Sequence, residues 1–191
     1  PGPSALLLYL GVKGKIPNLD HHTLLYTDDW ATNFAEVFHK ADGKRKVPNP
    51  ASLYICAPSK TDSSVAPDGF ENLFVLVPVA ADPSLGRGGI NRSGDPDFEA
   101  QADRIIQQIA NWCDIPDLAE RIVVRRTMGP ANFADELNAW SGTALGMAHT
   151  LKQSAFFRPK NKSKKVKGLY YAGHHSIPGI GLPMCLIGAE L

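Results

Sequence analysis

Four apolar runs of strand length lie in the first part of the chain, each bounded by residues that favour turns. Leu, Val, Tyr and Phe dominate the runs, and such side chains fit the half-buried surface of a sheet. Pro, Gly, Asn and Asp separate them and end each run. The runs are ALLLYLGVK (Ala5–Lys13), HHTLLYT (His21–Thr27), SLYICAPS (Ser52–Ser59) and NLFVLVPVA (Asn72–Ala80). This pattern predicts four strands.

Helical periodicity marks three further segments: Asp28–Lys40, Asp95–Trp112 and Gly129–Trp140. The second is the most regular, with Asp95 as a cap and Pro96 at the first helical position. Its apolar face is formed by Phe98, Ala102, Ile105, Ile106 and Ile109. RIVVRR (Arg121–Arg126) and GLYYAG (Gly168–Gly173) read as later strands. Strands followed by helix, strand, helix and strand indicate a mixed α/β or α+β protein.

Composition excludes several classes of function. The 191 residues carry 20 basic and 19 acidic side chains, a formal net charge of +1, which argues against a nucleic-acid partner. The three cysteines are far apart and form no CxxC motif, so the sequence predicts no metal site and no disulfide framework. We therefore expect a reducing, cytoplasmic setting. No apolar stretch approaches the roughly 18 residues of a membrane-spanning helix.

Motifs for side-chain catalysis are missing from the sequence. It contains neither GxSxG nor HExxH. The loop Asp82–Pro96 is rich in glycine but lacks both GxGxxG and the GxxxxGK[ST] pattern, so we interpret it as a plain connection. His21 and His22 begin a strand whose alternation turns one ring inward and one outward, which favours packed or surface histidines over catalytic ones.

The last 24 residues, GLYYAGHHSIPGIGLPMCLIGAEL, are the strongest candidate for a ligand site. The glycines allow close approach of the backbone to a ligand, and Pro183 fits the first turn of a helix. Free N–H groups near Gly181, Leu182 and Met184 would favour an anion or a carbonyl oxygen. A tight turn that binds nothing explains the glycines alone, but explains less well their position beside two histidines.

This ending resembles the last FAD-contacting segment of the bacterial phytoene desaturases (phytoene dehydrogenases) of carotenoid biosynthesis. Its strand, glycine, Ser-x-Pro-Gly-x-Gly-x-Pro turn and helix follow the family's pattern. Further segments resemble the family's middle and C-terminal parts in the same order: Leu19–Trp30, Ala57–Ala80, Arg125–Gly146 and Leu151–Asn161. The resemblance therefore covers most of the chain, as the C-terminal portion of such an enzyme.

The resemblance implies an amine-oxidase-like FAD/NAD(P)-binding flavoprotein with a discontinuous FAD domain. Residues 1–167 would form a substrate-binding domain with a mixed sheet, and residues 168–191 the closing strand and helix of the FAD domain. The family's N-terminal FAD-binding half, with its GxGxxG, has no counterpart in the sequence, so the resemblance implies a fragment that is inactive alone. The cofactor contacts fall on Gly173, His174, Gly181, Leu182, Pro183 and Met184.

The implied reaction removes two hydrogens from a long apolar isoprenoid polyene such as phytoene, with FAD as cofactor. No catalytic residue is fixed by this resemblance; His174 and His175, where many relatives carry small residues, are weak candidates. The substrate tunnel would be lined by the strands and by Gly142–Phe157. The resemblance also implies contact with a membrane surface. For this contact the lysine-rich stretch Arg158–Gly168 is one candidate, although a solvated loop is the simpler interpretation.

Two other interpretations of the sequence stay open at this point. One is a related flavoprotein: a retinol saturase, a carotenoid isomerase or a desaturase of shorter C30 chains. The other is a non-catalytic isoprenoid- or lipid-binding module that has lost its flavin. Tunnel length would separate the first group from the phytoene desaturases. Flavin retention would separate these enzymes from the non-catalytic module.

Overall fold

A five-stranded antiparallel sheet organises the protein in the computed structural model, which describes residues 1–38 and 45–190. The strand order is β2-β3-β4-β1-β5. The strands are β1 (Ser4–Lys13), β2 (His22–Leu25), β3 (Leu53–Cys56), β4 (Phe70–Val79) and β5 (Ile122–Met128). The helices are α1 (Trp30–Phe38), α2 (Pro96–Trp112), α3 (Leu118–Arg121), α4 (Pro130–Glu136) and α5 (Leu182–Glu190). The predicted α+β class is therefore confirmed.

The main core lies between one face of the sheet and α2. Alternate side chains of β1, β3 and β4 point to this face, because successive residues of a strand face opposite sides. The apolar stripe predicted for α2 is confirmed: Phe98, Ala102, Ile105, Ile106 and Ile109 are all buried and belong to one cluster with the strand residues. The side chains of the sheet and of α2 therefore fill the space between this face and the helix.

The opposite face of the sheet is only partly covered. A smaller cluster of Ala5, Leu7, Met128 and Phe133 occupies it near β1 and α4. Along β4 every second residue is half-buried on this side. This partly covered surface, which we call the second face, leaves room for a ligand.

Three details of the sequence interpretation were wrong. All four strand pairings are antiparallel, so the sheet is not mixed. GLYYAG forms no strand: Tyr170 makes a single bridge with Lys162 and its side chain is exposed. Within the described residues this segment has no neighbouring strand, and a strand needs such a neighbour to satisfy its backbone groups. Asp95 precedes α2 as predicted, but its carboxylate accepts from the N–H of Arg87 instead of capping the helix.

The other predicted elements occur close to their expected positions. Asp29 accepts a hydrogen bond from the N–H of Thr32 and so caps α1, although His39 and Lys40 of the predicted helix lie outside the described residues. The glycine-rich loop before α2 is a connection, as expected. Its N–H groups at Gly88 and Gly89 donate to Asn132 and Glu99 of the chain itself, which leaves them unavailable to a phosphate.

Candidate functional site

The turn that precedes α5 is held by two side chains from the beginning of the lysine-rich stretch, Arg158 and Asn161. Arg158 is only 3 % exposed; its guanidinium donates to the carbonyl of Gln153 at 3.0 Å and to that of His174 at 2.6 Å. Asn161 donates from Nδ2 to the carbonyl of Ile177 at 3.0 Å and to that of Gly188. These bonds join the turn, the preceding segment and α5 into one unit.

Arg158, which is buried beside the turn, is a residue that the sequence interpretation missed. The stretch Arg158–Gly168 was interpreted as a solvated loop, and for its lysines this is consistent with their exposure. Arg158 itself is buried because two backbone carbonyls and the turn enclose it. Its Cδ would lie 3.7 Å from a Cβ at Gly179. The signal available in the sequence was the Arg-Pro pair at the boundary between an apolar and a charged stretch.

The predicted site residues fall into two neighbouring places. Gly173, His174 and His175 line a depression of about 500 Å³ together with Tyr171 and Ser176. The second place is the start of α5, which holds Gly181, Leu182, Pro183 and Met184. None of these four lines the depression. All four are exposed to solvent.

Backbone geometry at the turn suits close approach by a ligand. Gly173 and Gly181 have φ of 126° and 115°, values that L side chains rarely adopt. A Cβ at Gly173 would meet nothing within 4 Å, and at Gly181 only Pro183 at 3.9 Å. The start of α5 adds the positive end of a nine-residue helix. A flavin, with its carbonyl oxygens and polyol chain, fits such a glycine-lined surface.

The two histidine rings lie against the chain's own backbone at Gly146. Their centroids are 4.2 Å apart, and a Cβ at Gly146 would collide with both rings. Partial burial, the neighbouring His175 and the charge of Arg158 lower the pKa of His174. The lowered pKa favours the neutral imidazole of His174, a form that can accept a proton.

Two apolar grooves open on the second face of the sheet. The α1 groove, of about 330 Å³, has Ala5, Leu76 and Pro78 at its floor and α1 at its side. The β5 groove, of about 440 Å³, has Tyr9 and Phe74 at its floor and the exposed Val123 and Val124 of β5 at its side. Ala144 and Leu145, which belong to the stretch Gly142–Phe157, also line the α1 groove.

A row of aromatic rings forms the wall of the α1 groove. Tyr26, Trp30, Phe34 and Phe38 follow one another with centroid distances of 5.1, 5.9 and 5.5 Å. Trp30, Phe34 and Phe38 share one side of α1 because residues four apart lie one turn above each other. The predicted amphipathic helix exists, but these three rings remain about half exposed. They line the groove instead of filling the core.

Comparisons with known proteins find carotenoid desaturases of similar sequence. The chain is 44 % identical over 188 residues to a carotenoid 3,4-desaturase of Haloarcula japonica. It is 33 % identical over 192 residues to a zeta-carotene-forming phytoene desaturase of Myxococcus xanthus, and 31 % over 189 residues to a 4,4'-diapophytoene desaturase of Staphylococcus haemolyticus. Each match covers 98 % of this chain.

The chain spans about a third of the length of these relatives: 35 %, 34 % and 36 % respectively. No protein-family model matches it. The resemblance noted at the C-terminal turn is nevertheless confirmed over nearly the whole chain. By its sequence, the chain is similar along nearly its whole length to carotenoid and phytoene desaturases, and it spans about a third of the length of such a protein.

Proposed function

We propose that this chain is part of an FAD-dependent desaturase that removes hydrogen from a long isoprenoid polyene in carotenoid biosynthesis. The names of the relatives describe desaturation of carotenoids, phytoene and diapophytoene. The feature of the molecule that carries the proposal is the mainly apolar row of side chains that follows β4 on the second face of the sheet. The remainder of the protein would supply the N-terminal half of the FAD domain.

The apolar row gives part of an extended polyene an elongated floor. Along β4 it runs from Pro78 in the α1 groove through Leu76 and Phe74 to Phe70 in the β5 groove, with the polar Asn72 between the last two. At roughly 3.4 Å per residue, these eight steps span about 27 Å. β1 adds Ala5, Leu7 and Tyr9 opposite Pro78, Leu76 and Phe74. A hydrocarbon chain offers nothing to hydrogen-bond, so a mainly apolar floor is the kind of surface it requires.

The turn before α5 would hold the flavin. Gly173, His174 and the start of α5 from Gly181 to Met184 are the proposed contacts, mostly through backbone atoms. When bound, the flavin accepts a hydride from the substrate and so supplies the redox chemistry. The chain's own task is to position that ring beside the apolar row and to exclude water from it. A proton must also leave the substrate; neutral His174 is one proposed acceptor, and water is the other.

The exposed surface of α5 supports a discontinuous FAD domain. Leu182 is 83 % exposed and Leu186 71 %, in a helix that is apolar on nearly all sides. A helix of this kind is normally buried. We therefore propose that residues 1–167 belong to the substrate domain, and that residues 168–191 pack in the whole enzyme against the FAD domain's other half. Arg158 and Asn161 would link the two parts.

Contact with a membrane surface is part of the proposal, because a C40 polyene dissolves in lipid. No helix of the described residues is long and apolar enough to cross a bilayer. The lysines between Lys160 and Lys167 would face anionic headgroups of the cytoplasmic leaflet. The aromatic row of α1 would lie near the mouth through which the substrate enters.

The test uses the full-length protein loaded with FAD and supplied with phytoene in liposomes. Chromatography with absorbance detection measures the longer conjugated polyenes formed by desaturation. Replacing Leu76 by Gln places an amide in the middle of the row and should reduce turnover strongly while FAD is retained. The matched control is Leu137→Gln, an exposed leucine that lines neither groove.

Three outcomes separate the possible functions. Product formation by the parent protein and the Leu137 variant, but not by the Leu76 variant, supports the proposal. Phytoene binding without FAD retention and without product would instead indicate a non-catalytic binding module. Full turnover by the Leu76 variant would show that the substrate does not lie on the second face.

A further inference from the structure

Two adjacent histidines meet a cysteine from a distant part of the sequence where β2 pairs with β3. In the antiparallel register His22 lies opposite Cys56. His21 is fixed just before β2, because its carbonyl accepts a hydrogen bond from the N–H of Ala57 at 2.8 Å. One ring nitrogen from each histidine and Sγ of Cys56 lie within 4.8 Å of one another. Among the described residues no other three histidine, cysteine or carboxylate ligands form such a group.

Hydroxyl groups hold both imidazole rings in place before any ion binds. Nδ1 of His21 lies 2.7 Å from Oγ1 of Thr61, and Nδ1 of His22 lies 2.8 Å from the hydroxyl of Tyr54. The ring centroids of the two histidines are 4.3 Å apart. This arrangement restricts rotation about the side-chain torsions, so little conformational entropy remains to be lost on binding.

The position of the cluster leaves it open to an ion from solvent. His22 is exposed, and His21 and Cys56 are half-buried. Tyr54 stacks on His22 and meets Phe74 edge-on, so the cluster borders the apolar row of the second face at its β2–β3 edge. It lies on a different part of the chain from the turn before α5.

We propose that His21, His22 and Cys56 bind a single Zn²⁺ ion. Two imidazole nitrogens and one thiolate are ligands that zinc prefers, and three protein ligands leave a fourth tetrahedral position open to water or substrate. The ion gives the edge of the second face a fixed positive charge and pins β2 to β3. This site does not depend on FAD or on desaturation, so it can be tested whether or not the proposed function holds.

The experiment titrates Zn²⁺ into the full-length protein after treatment with a chelator, and calorimetry gives the stoichiometry and the affinity. Cys56→Ser and His22→Gln each remove one ligand and keep the side-chain size close to the original. Because losing even an outer-shell partner typically costs about 10- to 100-fold in metal affinity, each variant should bind zinc at least roughly 100-fold more weakly. Cys185→Ser and His149→Gln, which change the same residue types elsewhere, are the matched controls and should bind like the parent.

X-ray absorption at the zinc edge provides an independent measurement. We expect one sulfur at about 2.3 Å and nitrogen ligands at about 2.0 Å. Thermal unfolding without metal checks that every variant folds. The proposal is overturned by a lack of one-to-one binding, by unchanged affinity in the folded Cys56 or His22 variant, or by a spectrum with no sulfur ligand.

Discussion

Nη2 of Arg158 donates a hydrogen bond of 2.6 Å to the backbone carbonyl of His174. Through this contact a buried cation controls the main-chain path of the proposed flavin site. The same guanidinium binds the carbonyl of Gln153 with its other terminal nitrogen. The planar guanidinium therefore donates from two nitrogens at once, and the ammonium group of lysine cannot reproduce this geometry.

Replacing Arg158 by Lys should remove one of the two hydrogen bonds that fix the turn, and should lower the FAD content of the purified full-length protein. Hydrogen bonds to a charged group contribute about 1.5–3 kcal/mol each, so loss of one of the two should reduce FAD affinity roughly tenfold or more. Flavin absorbance per mole of protein is the measurement. Lys160→Ala changes an exposed neighbouring cation and should leave the FAD content unchanged; equal losses in both variants would argue against a specific role for Arg158.

The lowered pKa of His174 makes the turn sensitive to acid. Its folded pKa lies below the ordinary value of 6.5 because burial, His175 and Arg158 disfavour the charged ring. In the unfolded chain the ring takes up a proton at higher pH, so the stability that neutral His174 allows is present above pH 6.5 and is lost as pH falls towards the folded pKa. Proton NMR of the ring should give a titration midpoint below pH 6.5. The variant His174→Gln should make the free energy of unfolding less dependent on pH in this range. A midpoint at or above 6.5 would contradict the prediction.

The periodicity of apolar residues predicted the elements that depend on local spacing. It failed for features that depend on contacts between distant parts of the chain. The buried face of α2 and the positions of β1 to β4 follow from apolar side chains at fixed intervals, and the structure has them there. Leu169–Tyr171 has strand-forming residues, but a strand forms only beside a partner, and none lies next to it among the described residues. Arg158 resembles its solvated neighbours in sequence, and only the turn that encloses it makes it buried.

The meeting of His22 with Cys56 illustrates the same limit. Both residues lie on predicted strands, yet the 33 residues between them reveal neither that the strands pair nor in which register. A shift of one residue would turn one of the two side chains to the opposite face. For this reason the sequence predicted no metal site, whereas the structure brings three ligands together.

Arg125 and Arg126 are adjacent on β5 but should differ strongly in their contribution to stability. Arg125 is buried and binds Oε2 of Glu99 at 2.7 Å, and Glu99 also accepts from Thr127 and from the N–H of Gly89. Replacing Arg125 by Met leaves this carboxylate buried without its cation, at a cost of about 3–5 kcal/mol. Arg126 is exposed and lies 3.7 Å from Glu136, so Arg126→Met should cost less than about 1 kcal/mol. Urea unfolding of the two variants measures the difference, and similar midpoints would show that the buried network is not stabilising.

Ala144 offers a way to shorten the proposed substrate channel without touching the flavin site. It lines the α1 groove at the Pro78 end of the apolar row. A tryptophan there would occupy much of the groove, and forcing a ligand into an overfilled site costs about 1–3 kcal/mol. Phytoene turnover by Ala144→Trp should therefore fall roughly tenfold, since about 1.4 kcal/mol corresponds to a factor of ten in rate.

The shorter C30 substrate 4,4'-diapophytoene should be affected less, because its shorter chain reaches less far towards the Pro78 end of the row. The measurement is the ratio of turnover on the two substrates, determined for the full-length protein with FAD bound. Ala100→Trp, an exposed change on α2 across the sheet, is the control and should leave the ratio unchanged. If Ala144→Trp slows both substrates equally while FAD content and thermal unfolding stay normal, the α1 groove is not the end of the channel, and the polyene must leave the second face before reaching Pro78.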